Sequence, residues 1–273
     1  MAWPVLVFDI ESIPDLAGLR SLRDDPPEWS DDQVYEAWVK ERAEKGQGDF
    51  MPLHLQRVLV ISAVFRGSDG LRVHSFVDRD GTSEAKVIQQ FFNTLEKHVP
   101  QLVSWNGGGF DLPVLNYRAL RHGLVASKFW DQGEDDRDFK WNNYISRYHH
   151  RHLDLMDLLA LYQSRANAPL DAMAKLCGFP GKLGMDGSQV YAQFQAGHTE
   201  DIRRYCETDV MNTYLLYCRF QKMRGGLLEA EYLQEIERVK KDASSQTWTL
   251  VGAGLAAIGA LTTAFLGPRI GIP

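Results

Sequence analysis

Residues 3–8, Trp-Pro-Val-Leu-Val-Phe, form an apolar block without clear alternation, the pattern of a central strand buried on both faces. A charged, proline-containing stretch follows over residues 15–52, with a short helix expected around 34–44. Two further strand-like runs, 58–65 and 71–77, are separated by Gly67, Asp69 and Gly70, which mark a hairpin turn. Ser83, read as an N-cap with Glu84 in the first turn, opens a helix whose apolar residues Val87, Ile88, Phe91, Phe92 and Leu95 share one face. Pro100 lies just past its end. Residues 102–105 read as a short strand, and 106–109 as a flexible turn into a helix beginning near Asp111. Residues 131–151 are polar, charged and aromatic without a period, as in an insertion or a loop over a cleft. Helical patterns return at 155–162, 170–176, 190–194 and 200–223. Strands, then alternating strand and helix, then helices indicate an α/β architecture.

Composition changes this picture mainly at its ends. The chain has 273 residues and is 44% hydrophobic, enough for a substantial core. No charged residue occurs between Ala243 and Pro268, and the apolar stretch 248–266 approaches membrane-spanning length. Gly252, Ala256, Ala260 and Ala264 recur at four-residue spacing along it. The expected division is therefore a domain over 1–240, with its insertion at about 131–151, and a tail over 241–273 that is either a packed helix or a membrane anchor. Thr247, Thr249, Thr262 and Thr263 weigh against the anchor. Asp9 and Glu11 interrupt the first apolar run before it reaches signal-peptide length. Cys177, Cys206 and Cys218 are odd in number and lack C-x-x-C spacing, which suggests neither a disulfide framework nor structural zinc and fits a reducing cytoplasm. A net charge of -6 argues against a protein that grips long nucleic acid by neutralising many phosphates. An enzyme acting on chain ends needs few such contacts, and bound cations would offset an acidic pocket.

The candidate chemistry is acidic. Asp9 and Glu11, two apart on a strand, leave the same face, and two carboxylates buried side by side call for a compensating cation. If the strand instead ends at Phe8, both are solvated loop residues. Asp111 stands at a strand-to-helix junction, where it can complement a helix N-terminus or join a ligand site at the strand ends. Tyr205 and Asp209 share a helical face at four-residue spacing, a pairing that is informative only alongside the other acids.

Together, Phe8-Asp9-Ile10-Glu11, the segment from Asn106 to Phe110-Asp111, and Tyr205-Cys-Glu-Thr-Asp209 resemble the DnaQ-like, ribonuclease-H-like exonucleases. The similarity is greatest to predicted 3′-to-5′ exonucleases related to the proofreading domain of family B DNA polymerases. It covers roughly residues 3–240 and includes His152-Leu-Asp154-Leu. Ser12 stands where relatives often carry threonine, and the apolar tail is a larger departure. The resemblance implies a mixed sheet flanked by helices and a site of two magnesium or manganese ions held by Asp9, Glu11, Asp111 and Asp209, with Tyr205 orienting the attacking water. Asp9 would bridge the ions, Glu11 and Asp209 would complete the water-binding one, and Asp111 would hold the second through waters. Asn106, Phe110 and Asp154 are assigned to substrate contact, with support of the site as the other role open to Asp154 and to Asp157.

The implied substrate is the 3′ end of nucleic acid, with single-stranded DNA preferred. An exoribonuclease, an internally cutting nuclease, a catalytically silent nucleic-acid-binding module and a membrane-tethered scaffold are the alternatives. No polymerase domain fits in the remaining chain, so a proofreading role would need a polymerase or repair partner. Trp105, Trp130 and the aromatic and basic residues from Tyr144 to His152 are candidates for base and phosphate contact, although most aromatics of this kind lie in cores.

Overall fold

The computed structural model describes residues 4–182 and 184–245. In chain order the elements are β1 (Val5–Pro14), α1 (Leu16–Ser21), α2 (Asp31–Glu44), β2 (Gln56–Gly67), β3 (Gly70–Val77), α3 (Glu84–His98), β4 (Gln101–Ser104), α4 (Asp111–His122) and α5 (Ser127–Trp130). They continue with β5 (His152–Asp154), α6 (Leu155–Leu159), α7 (Leu170–Leu176), α8 (Val190–Gln195), α9 (Thr199–Met223) and α10 (Glu229–Ser245). The five strands form one mixed sheet in the order β3-β2-β1-β4-β5. Neighbours β1, β2 and β3 pair antiparallel, whereas β4 runs parallel to β1 and β5 parallel to β4. This is the α/β, ribonuclease-H-like mixed sheet flanked by helices that the resemblance implies.

Strand β1 is central, and its period of two sorts its side chains between two cores. Leu6, Phe8 and Ile10 pack with Val87, Phe91, Leu95, Leu112 and Leu115 of α3 and α4. Val5 and Val7 pack on the opposite face with Val210, Tyr214 and Tyr217 of α9. Asp9 and Glu11 share the phase of Val5 and Val7, so the strand aims both acids toward α9. The strand continues past Phe8 because its ladder with β2 runs on to Pro14 and Gln56, with a bulge between Glu11 and Ser12. Both acids are therefore strand residues and not loop residues.

Residues 15–55 bury their own small cluster of Leu19, Val34, Trp38, Met51 and Leu55. Helix α10 is held against the sheet by a buried ion pair between Arg66 of β2 and Glu235, whose carboxylate also accepts from the Tyr214 hydroxyl at 2.7 Å. Two local expectations change. The Ser83 hydroxyl caps nothing; it donates to Asp78 at 2.8 Å because that fully buried carboxylate needs donors. Helix α6 stops at Leu159, and the chain turns through left-handed Leu161 and Tyr162. Within 131–151 there is one 3-10 turn, Arg137–Lys140, and the segment is anchored in the core by buried Phe139 and Tyr144, whose hydroxyl donates to the Pro100 carbonyl at 2.7 Å. The expected boundary at 240/241 falls inside α10. The stretch 248–266 lies outside the described residues, among which no helix is long and apolar enough to cross a membrane.

Candidate active site

The parallel strands β1, β4 and β5 bring their carboxyl ends to one edge of the sheet, where ligand sites of α/β folds gather. β4 accompanies β1 only from Val5 to Val7, and beyond that point β1 has lost its neighbour on this side. The chain leaving β4 turns through Asn106–Phe110 into α4, and the first residue of that helix replaces the missing ladder: Asp111 Oδ1 accepts from Ile10 N at 3.0 Å. Asp111 is thereby fixed beside Asp9 and Glu11. The turn itself requires glycine, because a Cβ at Gly107 would meet Ser104 Oγ at 2.4 Å. Asn106 adopts a left-handed conformation, with φ of 69°. At the end of β5, Asp154 clamps this turn, its two oxygens accepting from Asn106 N and Gly108 N at 2.9 Å each. Asp157 forms an ion pair with Arg147.

From the other side α9 contributes Tyr205 and Asp209, one turn apart and both buried. Lys182 reaches in from the loop before α8, donating to the Tyr205 hydroxyl and standing 3.5 Å from Asp209. Among the described residues, Asp9, Glu11 and Cys206 bring potential ligand atoms within 4.8 Å of one another. Asp111 and Asp209 stand outside that group but are coupled to it by charge. The Cys206 thiol lies 3.6 Å from Asp9 Oδ2, toward which it donates, and burial, then Asp9 and Glu11, push its pKa up.

The electrostatics of the cluster are only partly compensated. Burial raises Asp9 well above the usual carboxylate range, and Asp111, Glu11 and Asp209 raise it further against the pull of Lys182. Glu11 is raised by burial and by Asp209, again opposed by Lys182. Burial takes Asp111 up to about 7 even though backbone N–H groups favour its ionised form. Asp209 rises to about 6, burial outweighing Lys182 and Tyr205. Asp209 Oδ1 is buried without a hydrogen-bond partner. An orphaned carboxylate oxygen among repelling acids is what a divalent cation would satisfy, and the oxygen donors of the four carboxylates suit a hard one. The residues fit such a group.

The sequence model of a family described as predicted 3′-5′ exonucleases related to the exonuclease domain of PolB matches residues 48–250. The chain belongs to this family. The match to the PolB-related exonucleases includes Asp111, Tyr205 and Asp209, whereas Asp9 and Glu11 precede it and are joined to the others by the fold. The family B DNA polymerase from the hyperthermophilic archaeon Pyrobaculum calidifontis is similar in structure, with a TM-score of 0.47 and 19% identity. The likeness covers 78% of this chain and 24% of that polymerase, so the chain spans about a quarter of the polymerase's length. No curated protein matches the chain.

The remaining expected site residues are dispersed around this exonuclease-family centre. Asn106 is exposed, and Phe110 is half-buried with its ring 6.0 Å from that of exposed Phe50. Trp105 belongs to the core, and Trp130 is exposed. Of the cluster from Tyr144 to His152, Tyr144 is internal and His152 is buried against Ser104 Oγ at 2.8 Å, which leaves Arg147, Tyr148 and His150 exposed. Sequence reasoning missed Lys182, Cys206 and Phe50 as neighbours of the site. Only the four-residue spacing of Cys206 from Ile202 and Val210 on the buried face of α9 gave any signal.

Proposed function

We propose that this protein is a divalent-metal-dependent 3′-to-5′ exonuclease that hydrolyses the terminal phosphodiester of single-stranded DNA. The observation that carries the reading is the convergence of Asp9, Glu11, Asp111 and Asp209 at the carboxyl edge of β1 and β4, with an Asp209 oxygen left unpartnered. Asp9, Glu11, Asp111 and Asp209 would hold two magnesium or manganese ions. When bound, such ions supply a lowered water pKa and neutralise charge on the phosphate and the leaving oxygen.

The chain's own residues do the rest. Burial, then Asp209, Glu11 and Asp9, push the Tyr205 phenol far above its ordinary pKa, so it stays protonated and cannot act as a general base. Its hydroxyl, held by Lys182, orients the attacking water. The Asp154 clamp keeps the Asn106–Phe110 turn in place, where exposed Asn106 and Phe50, beside half-buried Phe110, are set to contact a terminal nucleotide. A net charge of -6 suits this end-directed binding, which relies on few phosphate contacts.

The test is hydrolysis of 3′-labelled and 5′-labelled DNA and RNA strands, single and double, with magnesium or manganese. Mononucleotides should leave from the 3′ end of single-stranded DNA, and Tyr205→Phe should lose about 100-fold in single-turnover rate while retaining strand affinity. Release from the 5′ end, internal cutting, preference for RNA, or an undiminished Tyr205→Phe rate would overturn the corresponding part of the reading.

A further inference from the structure

The edge of the sheet opposite the acids holds a cavity of about 490 Å³, lined by Gln101, His150, Arg151, Tyr217, Gln221 and Arg224. We propose that this cavity binds a small phosphate monoester, held by the guanidinium groups of Arg151 and Arg224. The site shares no residue with the acidic cluster and does not depend on its chemistry.

Topology separates the two places. Pro4 precedes β1, Gln101 opens β4 and Arg151 precedes β5, so the cavity lies at the amino ends of the three parallel strands, whereas Asp111 and Asp154 stand at their carboxyl ends. Along α9, Gln221 lies twelve residues beyond Asp209, about 18 Å of helix. The cavity volume is within the range of small-molecule sites, roughly 300–1,000 Å³.

The cavity is cationic in a chain of net charge -6. No lining residue carries a carboxylate, and neither Arg151 nor Arg224 forms an ion pair among the described residues. Several exposed arginines of this chain do pair: Arg72 with Asp69, Arg79 with Glu200 and Arg147 with Asp157. Helices α3 and α9 both end at the cavity, at Val99 and Arg224, and a helix C-terminus brings roughly half a negative charge. Two full guanidinium charges outweigh these partial ones. A phosphate monoester offers the two forks three terminal oxygens and a charge of about -2, whereas a backbone phosphodiester offers a single charge.

The wall is organised by its own hydrogen bonds. Arg151 Nε donates to the Asn142 carbonyl at 2.6 Å, and its Cζ lies 4.1 Å from the Phe139 ring centroid, which fixes the guanidinium. Asn142 Oδ1 also accepts from His150 N at 3.0 Å. The buried Tyr217 hydroxyl donates to Gln101 Oε1 at 2.8 Å, and Gln101 Nε2 donates to the His150 carbonyl at 2.7 Å. With these groups engaged among themselves, the guanidinium forks remain as donors for a phosphate. Pro4 and Val99 add an apolar patch for the carbon skeleton of an ester.

The test is calorimetric titration of thymidine 5′-monophosphate, ribose 5-phosphate and inorganic phosphate into the full chain in chelator, with thermal melting of every variant to verify the fold. A charge-assisted hydrogen bond to phosphate contributes on the order of tenfold in Kd. One or both esters should bind saturably and about tenfold or more tighter than inorganic phosphate. Arg224→Gln and Arg151→Gln should each weaken that binding by about tenfold or more, and Asp209→Asn should bind as the wild type does. Arg224 is exposed, so Arg224→Gln decides the result even where Arg151→Gln fails to fold. No saturable ester binding by the wild type, undiminished affinity in Arg224→Gln, or a loss confined to Asp209→Asn would overturn the site. Inorganic phosphate binding as tightly as the esters would overturn the ester in favour of free phosphate. An oligothymidylate without terminal phosphates that displaces the ester and binds more tightly would overturn it in favour of a nucleic-acid backbone.

Discussion

Two buried groups of carboxylates in this fold have opposite electrostatic states. One lies where β1 passes into α1: Asp15 accepts from Gly18 N at 2.9 Å and from Arg118 and Arg121, while Glu84 accepts from Val58 N at 2.8 Å, from Arg118 at 2.7 Å and from His122 at 2.7 Å. Burial pushes Asp15 up, but the bonds from Arg118 and Gly18 more than offset it and hold the acid below its ordinary range. The other group is Asp9, Glu11, Asp111 and Asp209, where Lys182 pulls against burial and mutual repulsion at Asp9 and Glu11 without offsetting them, and the acids sit above their ordinary range. Burial is common to both. Compensation differs, and it separates a structural network from the cluster proposed to receive a cation.

The comparison breaks most visibly at Arg118. Removing it as Arg118→Met leaves Asp15 and Glu84 buried with only part of their partners, and should cost about 3–5 kcal/mol in chemical denaturation. A loss below about 1 kcal/mol would mean that the network is not fully formed.

The acidic cluster should respond in the opposite sense. Asp209 is ionised in the unfolded chain above pH of about 4 but keeps its proton in the fold up to about 6, so the folded state binds more protons across that window. Metal-free stability therefore falls as pH rises through the window. Asp209→Asn should stabilise the chelator-treated protein at pH of about 8, by on the order of 2 kcal/mol, and leave it unchanged near pH 4. Thermal melts across this range would expose an error of sign. Lys182→Met is the smallest change, because the lysine is one-third exposed: it should lower metal-free stability at neutral pH by less than about 1 kcal/mol, an effect that vanishes once the acids are protonated.

The fold was legible in the sequence wherever periodicity records burial. The unbroken apolar run before Asp9 marks a strand covered on both faces, and the face of α3 from Val87 to Leu95 is the face that packs. The placement of Asp9 and Glu11 was legible because carboxylates within an otherwise apolar strand are chemically conspicuous. Lys182 was not, since its loop acquires meaning only when folding sets it against α9, more than twenty residues onward. Tyr144 and Tyr148 look alike in sequence, yet one donates to the Pro100 carbonyl in the core and the other is open to solvent. Ser83 carries an N-cap pattern, but buried Asp78 recruits its hydroxyl, a tertiary demand that local propensity does not encode.

The most direct test of the central claim is a calorimetric titration of manganese into the wild-type protein and Asp9→Ala in the same buffer, with thermal melting of both. A cation-receiving cluster predicts saturable binding of about two ions per chain, a melting temperature that rises with manganese, and loss of both effects in Asp9→Ala. The metal-free variant should melt no lower than the metal-free wild type, because a repelled carboxylate has been removed. Equal manganese binding by Asp9→Ala, or no saturable binding by the wild type, would contradict the account.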